Sequence, residues 1–240
     1  MSFSDIFKTQ DEKDAQFNEA FILALVHRLR TPLNGARWAL DSFMSSGDSD
    51  ASRKTLHQGY DKIINAINMV NEILKISEIN SKDGRVELDK SKINLCEIVD
   101  GILDNLDYLI NKKEVVLEYD RAQEPIYILG DAKVLDIALT NLFDNAIRYS
   151  PKGKVKINIS EVGGIAKLII KDNGIGIDKA DMRHIFGKFF RGKNAKIIDP
   201  NQSGIGLYAT KKIIEIHGGK ISLHSDIDSG TIVEVNLPID

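Results

Sequence analysis

Between Asp11 and Met44 the apolar residues Phe17, Phe21, Leu25, Leu29, Leu33, Ala36, Leu40 and Phe43 recur at threes and fours. That is the repeat of one helical face, and it predicts a single long helix. The loop SSGDSD interrupts it with Gly and Asp, and Leu56, Ile63, Ile67, Val70, Ile73, Leu74 and Ile76 then lay down a second helical stripe as far as Ile79. Two helices with one apolar stripe each cannot enclose a core by themselves. A second copy would complete them as a dimeric four-helix bundle; packing onto the rest of the same chain is the other way to cover them.

After the polar, turn-rich NSKDGRVELDKS, read as a linker or a short connecting strand, the rhythm changes. Residues 93–111 read as a helix, VVLEY and PIYILG as strands, and Ala132 to Tyr149 as a helix with Leu135, Ala138, Leu139, Leu142 and Ile147 facing inward. KVKINIS and AKLIIKD alternate around the turn EVGG, a hairpin pattern; the helix LYATKKIIEIHGG and the strands KISLHS and TIVEVNLP close the chain. The predicted fold class is α+β: a helical hairpin over 1–82, then an α/β sandwich over 88–240.

Composition narrows the partners. The 32 basic and 35 acidic residues leave a net charge of −3, so no global positive field invites nucleic acid or an anionic membrane. No run approaches the length of a membrane span, and the first residues lack the basic and apolar regions of a secretory signal. The single cysteine, Cys96, lies in an amphipathic run and forms no internal disulfide, which fits a reducing compartment.

Four segments of the second half carry chemistry. In NLFDNAIRYS, Asn141 and Asn145 stand four apart on one helical face, followed by Arg148 and Tyr149. Asparagine is a poor helix-interior residue, and its amide carbonyl is a hard oxygen ligand suited to Mg2+; a merely polar face is the alternative. In KDNGIGI, Asp172 ends an apolar strand, where a carboxylate can accept from an exocyclic base amine; Gly174 and Gly176 let backbone pass beneath a flat ring. In NQSGIGL, Gly204 and Gly206 open a helix with Leu207 and Thr210, where free N–H groups and the helix dipole favour phosphate. Between them, HIFGKFFRGKNAKIIDPNQ reads as a hinged cover with Arg191 placed to reach a terminal phosphate.

Taken in order, NLFDNAIRYS, KDNGIGI, FGKFFRG and SGIGL resemble the ATP-binding domain of sensor histidine kinases, within the wider Bergerat-fold ATPases. The resemblance covers residues 88–240 and implies a sandwich of the Bergerat type that binds ATP and Mg2+. It implies Asn145 as Mg2+ ligand, Asp172 as the adenine reader and the loop from Gly192 to Ser203 as a lid. Gln202 departs from the family's frequent glycine at that place. In the first half, HRLRTPLNG resembles the same family's H-box, whose histidine, here His27, takes the γ-phosphoryl group. The family's partners then follow: a second copy through the helical hairpin, a response-regulator receiver domain on another chain, and an upstream sensor. The location implied is cytoplasmic, either alone or as the cytoplasmic core of a larger or membrane-associated sensor.

One residue breaks the pattern. Where most relatives place Glu or Asp after the histidine, this chain has Arg28, which cannot accept a proton. Either Arg28 keeps His27 neutral and attracts phosphate, or autophosphorylation is crippled and the chain is an ATP-responsive dimeric scaffold. Thr31, one turn on, resembles the family residue that orients water for dephosphorylating the regulator. A nucleotide-gated ATPase or chaperone of the same fold is a third reading, marked by turnover independent of His27. Pro32 cannot bond back to the Arg28 carbonyl and crowds that turn, which weakens the helix there and makes it a hinge. Pro32→Ala is expected to change the ratio of kinase to phosphatase activity toward a receiver; an unchanged ratio rejects the hinge.

Overall fold

The computed structural model describes residues 29–30, 32–45, 51, 53–60, 62–63, 66, 70, 88–199 and 202–239. The chain divides into two units, Met1–Ile73 and Leu74–Asp240. His27, Arg28 and Thr31, and with them the H-box reading, lie outside the described residues.

In the first unit, residues 32–45 and 53–60 are helical. They approach through small residues: a Cβ on Gly59 would lie 2.6 Å from the Ala39 Cβ, and Ala36 and Ala39 are buried. The expected stripe is only partly covered within the chain, since Leu33 and Leu40 are 51% and 46% exposed.

The second unit runs β1 (Ser91–Asn94), α1 (Leu95–Lys113), β2 (Val116–Asp120), β3 (Tyr127–Gly130), α2 (Ala132–Arg148), β4 (Lys154–Val162), β5 (Ile165–Asp172), α3 (Lys193–Ile198), α4 (Gly206–Ile216), β6 (Lys220–Asp226) and β7 (Gly230–Pro238). Five strands form one sheet in the order β2-β4-β5-β7-β6, with β2 parallel to β4 and the remaining pairs antiparallel. β1 and β3 form a separate antiparallel pair. One face of the large sheet is apolar, through Val155, Ile157 and Ile159 on β4, Ala166, Leu168 and Ile170 on β5, and Val233, Val235 and Leu237 on β7. Period-two burial of this kind requires a covering layer, and the helices supply it: α2 packs on β5 and lies between α1 and α4. This is the α/β sandwich expected of residues 88–240.

Local chemistry explains the boundaries. Asn94 caps α1 by accepting from Cys96 N–H at 3.1 Å, and Asp131 caps α2 by accepting from Lys133 and Val134 N–H at 3.1 and 3.2 Å. The β4–β5 hairpin turns on Gly163 and Gly164, both at positive φ (60° and 77°), as a two-residue turn matched to the strand twist requires. Two expectations shift. The helix expected from residue 93 starts at Leu95, because Ser91–Asn94 pairs with Tyr127–Gly130 as a strand. The polar loop expected around residues 192–199 contains the short helix α3.

His217 joins this layer to the start of α2. It is buried, its Nε2 accepts from Asp131 N–H at 3.1 Å, and its Nδ1 stands 2.7 Å from the Ile213 carbonyl, a donor's position. That arrangement needs the neutral ring, and burial holds its pKa below the ordinary imidazole value. Below about pH 6.5 the unfolded chain binds a proton that the native ring refuses, so this stability is lost as pH falls through that value and the lower native one. Thermal melts at pH 7 and pH 5 are expected to show a steeper loss of Tm for the wild type than for His217→Gln.

Candidate nucleotide-binding site

Asp172 ends β5 and is 7% exposed. Its Oδ1 accepts from Gly174 N–H at 2.8 Å and from Thr231 N–H at 3.1 Å, the second across the β5–β7 pair. Burial pushes its pKa up, while the two backbone donors and the Ser150 hydroxyl pull it back. Both backbone bonds fall on Oδ1, so Oδ2 is the acceptor this carboxylate can offer to a ligand.

The adjoining glycines answer to backbone before they answer to any ring. Gly176 has φ 65°, and a Cβ there would overlap the Asp226 carbonyl oxygen. A Cβ on Gly174 would overlap the Tyr149 carbonyl oxygen and lie 2.5 Å from Ser150 Oγ. These close approaches bring the end of α2, the end of β5 and the β6–β7 turn to one place.

On α2, Asn141 donates through Nδ2 to Thr210 Oγ1 at 2.8 Å, and Thr210 donates to the Ala138 carbonyl at 3.3 Å. Thr210 is fully buried, so its hydroxyl belongs to the seam between α2 and α4. Leu207 packs partly buried against the core. Asn145 Nδ2 points to Asn141 Oδ1 at 3.4 Å, and among the described residues no donor reaches the Asn145 Oδ1. Gly206 sits on Asn141, where a Cβ would lie 2.7 Å from its Nδ2. Gly204 has φ 72°, and no side chain caps α4, whose first-turn N–H groups stay available to an anion.

Arg148 grips Asp144 with two bonds, at 2.9 and 2.7 Å, and Asp199 with a third at 3.1 Å. Arg191 donates to the carbonyls of Ala195, at 3.2 Å, and Asp199. It also stands beside the Tyr149 hydroxyl, whose pKa burial raises and Arg191 lowers. Gln202 reaches Asp199 as well, at 3.4 Å. Arg148 and Arg191, the second of which was expected to reach a terminal phosphate, thus meet around α3 and Asp199.

The residues present suit ATP and Mg2+. Asp172 and Ser150, whose Oγ is buried without a hydrogen-bond partner, supply polar groups for a base; the α4 amides suit phosphate. Asn145 offers one hard oxygen. Among the described residues no group of three or more His, Cys, Asp or Glu side chains forms a metal cage, so an ion here would take its remaining ligands from phosphate and water. Sequence reasoning missed Ser150, Thr231, Asp144 and Asp199. Ser150 is the last letter of NLFDNAIRYS, but Thr231 lies 59 residues from Asp172 and carries no local pattern.

Compared with known proteins, residues 130–240 match the family described as histidine kinase-, DNA gyrase B-, and HSP90-like ATPase. This half of the chain is therefore an ATP-binding domain of that class. The chain is 28% identical to the sensor histidine kinase WalK of Bacillus subtilis (strain 168) over 237 residues, covering 96% of this chain and 38% of WalK. It is 27% identical to the heme sensor protein HssS of Staphylococcus haemolyticus over 220 residues, covering 91% of this chain and 46% of HssS. The chain spans about half or less of the length of these two relatives. Among solved structures, the mycobacterial sensor histidine kinase MprB superposes with a TM-score of 0.54 at 26% identity, over 62% of this chain and 97% of that one. The fold is shared with the Acinetobacter baumannii histidine kinase AdeS, with a TM-score of 0.69 at 24% identity over 89% of this chain and 98% of that one. It is also shared with histidine kinase ThkA in complex with response regulator protein TrrA, with a TM-score of 0.74 at 20% identity over 96% of this chain and 64% of that one. The family match and the likenesses to WalK and HssS support a sensor histidine kinase ATPase domain.

Asp172→Asn is expected to weaken ATP binding about tenfold or more, the worth of a hydrogen bond to a charged acceptor, with little change in Tm. Isothermal titration and a thermal melt check both.

Proposed function

We propose that the chain is an ATP-dependent protein-histidine kinase that phosphorylates His27 and passes the phosphoryl group to an aspartate of a response-regulator receiver domain. The observation that carries this reading is the convergence of Asp172, the uncapped start of α4 and the open Asn145 carbonyl in an ATPase domain whose relatives are sensor histidine kinases. The H-box likeness of HRLRTPLNG supplies the acceptor.

In this reading residues 88–240 are the catalytic domain and residues 1–82 the dimerisation and phosphotransfer hairpin. The half-exposed Leu33 and Leu40, on a helix that buries Ala36 and Ala39, support a second copy as their cover. Asp172 holds the base, and the α4 amides with Gly204 and Gly206 hold phosphate. Arg191 neutralises charge on it, and Arg148, paired with Asp144 and Asp199, borders the site. Asn145 would ligate Mg2+, which would supply charge neutralisation for the phosphates when bound. A ring nitrogen of His27 attacks the γ-phosphorus, the bond to the β-phosphate oxygen breaks, and ADP leaves. The imidazole proton passes to water or to a carboxylate other than residue 28, because Arg28 cannot accept it. Thr31 would orient water for the reverse task, dephosphorylation of the regulator.

The receiver lies on another chain, as for ThkA with TrrA, and the input comes from an upstream sensor. No helix among the described residues is long and apolar enough to cross a membrane, and the proposed location is cytoplasmic. Arg28 favours one other reading, an autokinase-impaired ATP-binding scaffold. Incubation with γ-labelled ATP and Mg2+ is expected to give base-stable, acid-labile label that disappears in His27→Gln. A wild type that takes no label under any condition rejects the kinase. Arg28→Glu is expected to change labelling less than about tenfold if Arg28 serves in place of the acid; a larger gain marks it as an impairment.

A further inference from the structure

Ser150 follows the end of α2, and its backbone is fully bonded: its N–H donates to the Ile147 carbonyl at 3.3 Å and its carbonyl accepts from Gly153 N–H at 2.9 Å. The side chain is left over. Ser150 is 1% exposed, and its Oγ is buried with no hydrogen-bond partner. A hydroxyl shut away from water without a partner is costly, and such a group in a native site points to a ligand or a bond completed on binding.

Its surroundings say which. A Cβ on Gly174 would lie 2.5 Å from Ser150 Oγ, and Gly174 N–H is itself one of the two donors to Asp172 Oδ1. The hydroxyl therefore lies over the same turn that fixes the Asp172 carboxylate. It is near enough to that carboxylate to oppose the effect of burial on its proton affinity. Gly174 N–H and Thr231 N–H both serve Oδ1, so the other oxygen has no backbone donor. No basic side chain among the described residues forms an ion pair with Asp172, which leaves these three groups to hold it ionised.

An ionised carboxylate only accepts hydrogen bonds, whereas a protonated one also donates. A six-amino purine presents N–H groups to it, and a six-oxo purine presents an oxygen. We propose that Ser150 is a positioning residue that sets the base preference of this site: its hydroxyl donates to the open oxygen of Asp172 and keeps the carboxylate an acceptor for a six-amino purine. The proposal rests on reading residues 130–240 as an ATP-binding domain. It adds a residue that tells adenine from its six-oxo counterpart.

The test measures Kd for ATP and ITP, by titration calorimetry on the 240-residue chain. Ser150→Ala is expected to weaken ATP about fivefold and to leave ITP within about twofold, so that the preference for ATP shrinks; Ser150→Thr restores it. Where circular dichroism shows that Ser150→Ala does not fold, Ser150→Cys, a weak donor of similar size, is expected to show the same loss of preference. An unchanged ATP-to-ITP ratio overturns the proposal, and so does an equal loss of both nucleotides, which marks a structural role. A wild type that prefers ATP while the variant keeps that preference overturns the role of Ser150 alone. A wild type that binds neither nucleotide overturns the ATP-binding reading and this role with it.

Discussion

Thr210 is buried in the seam between two helices, and a buried hydroxyl must find a partner. It donates to the Ala138 carbonyl and accepts from Asn141, both on α2, and these bonds set α4 in register against α2. The site depends on that register. It brings the uncapped first turn of α4 beside the polar face of α2, and it explains Gly206, whose missing side chain leaves room for the Asn141 amide. A larger residue there would push the anion-seeking end of α4 away from Asn145. On its other side α2 buries Leu135, Leu139, Leu142, Phe143 and Ile147, so the helix that carries the polar face is also anchored in the core.

Charge is balanced within the same region. Arg148 is partly buried and held by Asp144 and Asp199, and Arg191 is held by carbonyls of the segment that includes α3. Asp172 is the converse case, a carboxylate kept from water with backbone amides in place of a cation. An acceptor stabilised by neutral donors retains its negative charge for a ligand, whereas one paired with arginine would already be neutralised.

Much of this half was legible in the sequence. α2 shows the helical period, the capping Asp131 just before it and the basic Arg148 in its last turn. The β4–β5 hairpin shows alternation and two glycines at the turn. β1 was not legible, because four residues carry no period and their partner strand lies more than thirty residues further on. In the first unit the stripe named Leu33, Ala36 and Leu40 as inward residues; Ala36 is buried, as is Ala39 outside the stripe, while Leu33 and Leu40 are half-exposed. Periodicity finds an apolar face without saying which part of it a given neighbour covers.

The sequence by itself determined the element types of the second half, the order of the nucleotide motifs and the likeness to sensor histidine kinases, since these rest on local period and on short runs of letters. Tertiary structure alone decided which polar groups meet. It assigned the Thr210 hydroxyl to Asn141, gave Asp172 a donor from Thr231, set His217 against Asp131, and left Ser150 Oγ unpaired. The protein partners just named lie 69, 59 and 86 residues apart. Hydrogen bonds act over about 3 Å, and the packing of the sheet and its helices brings those residues within that distance.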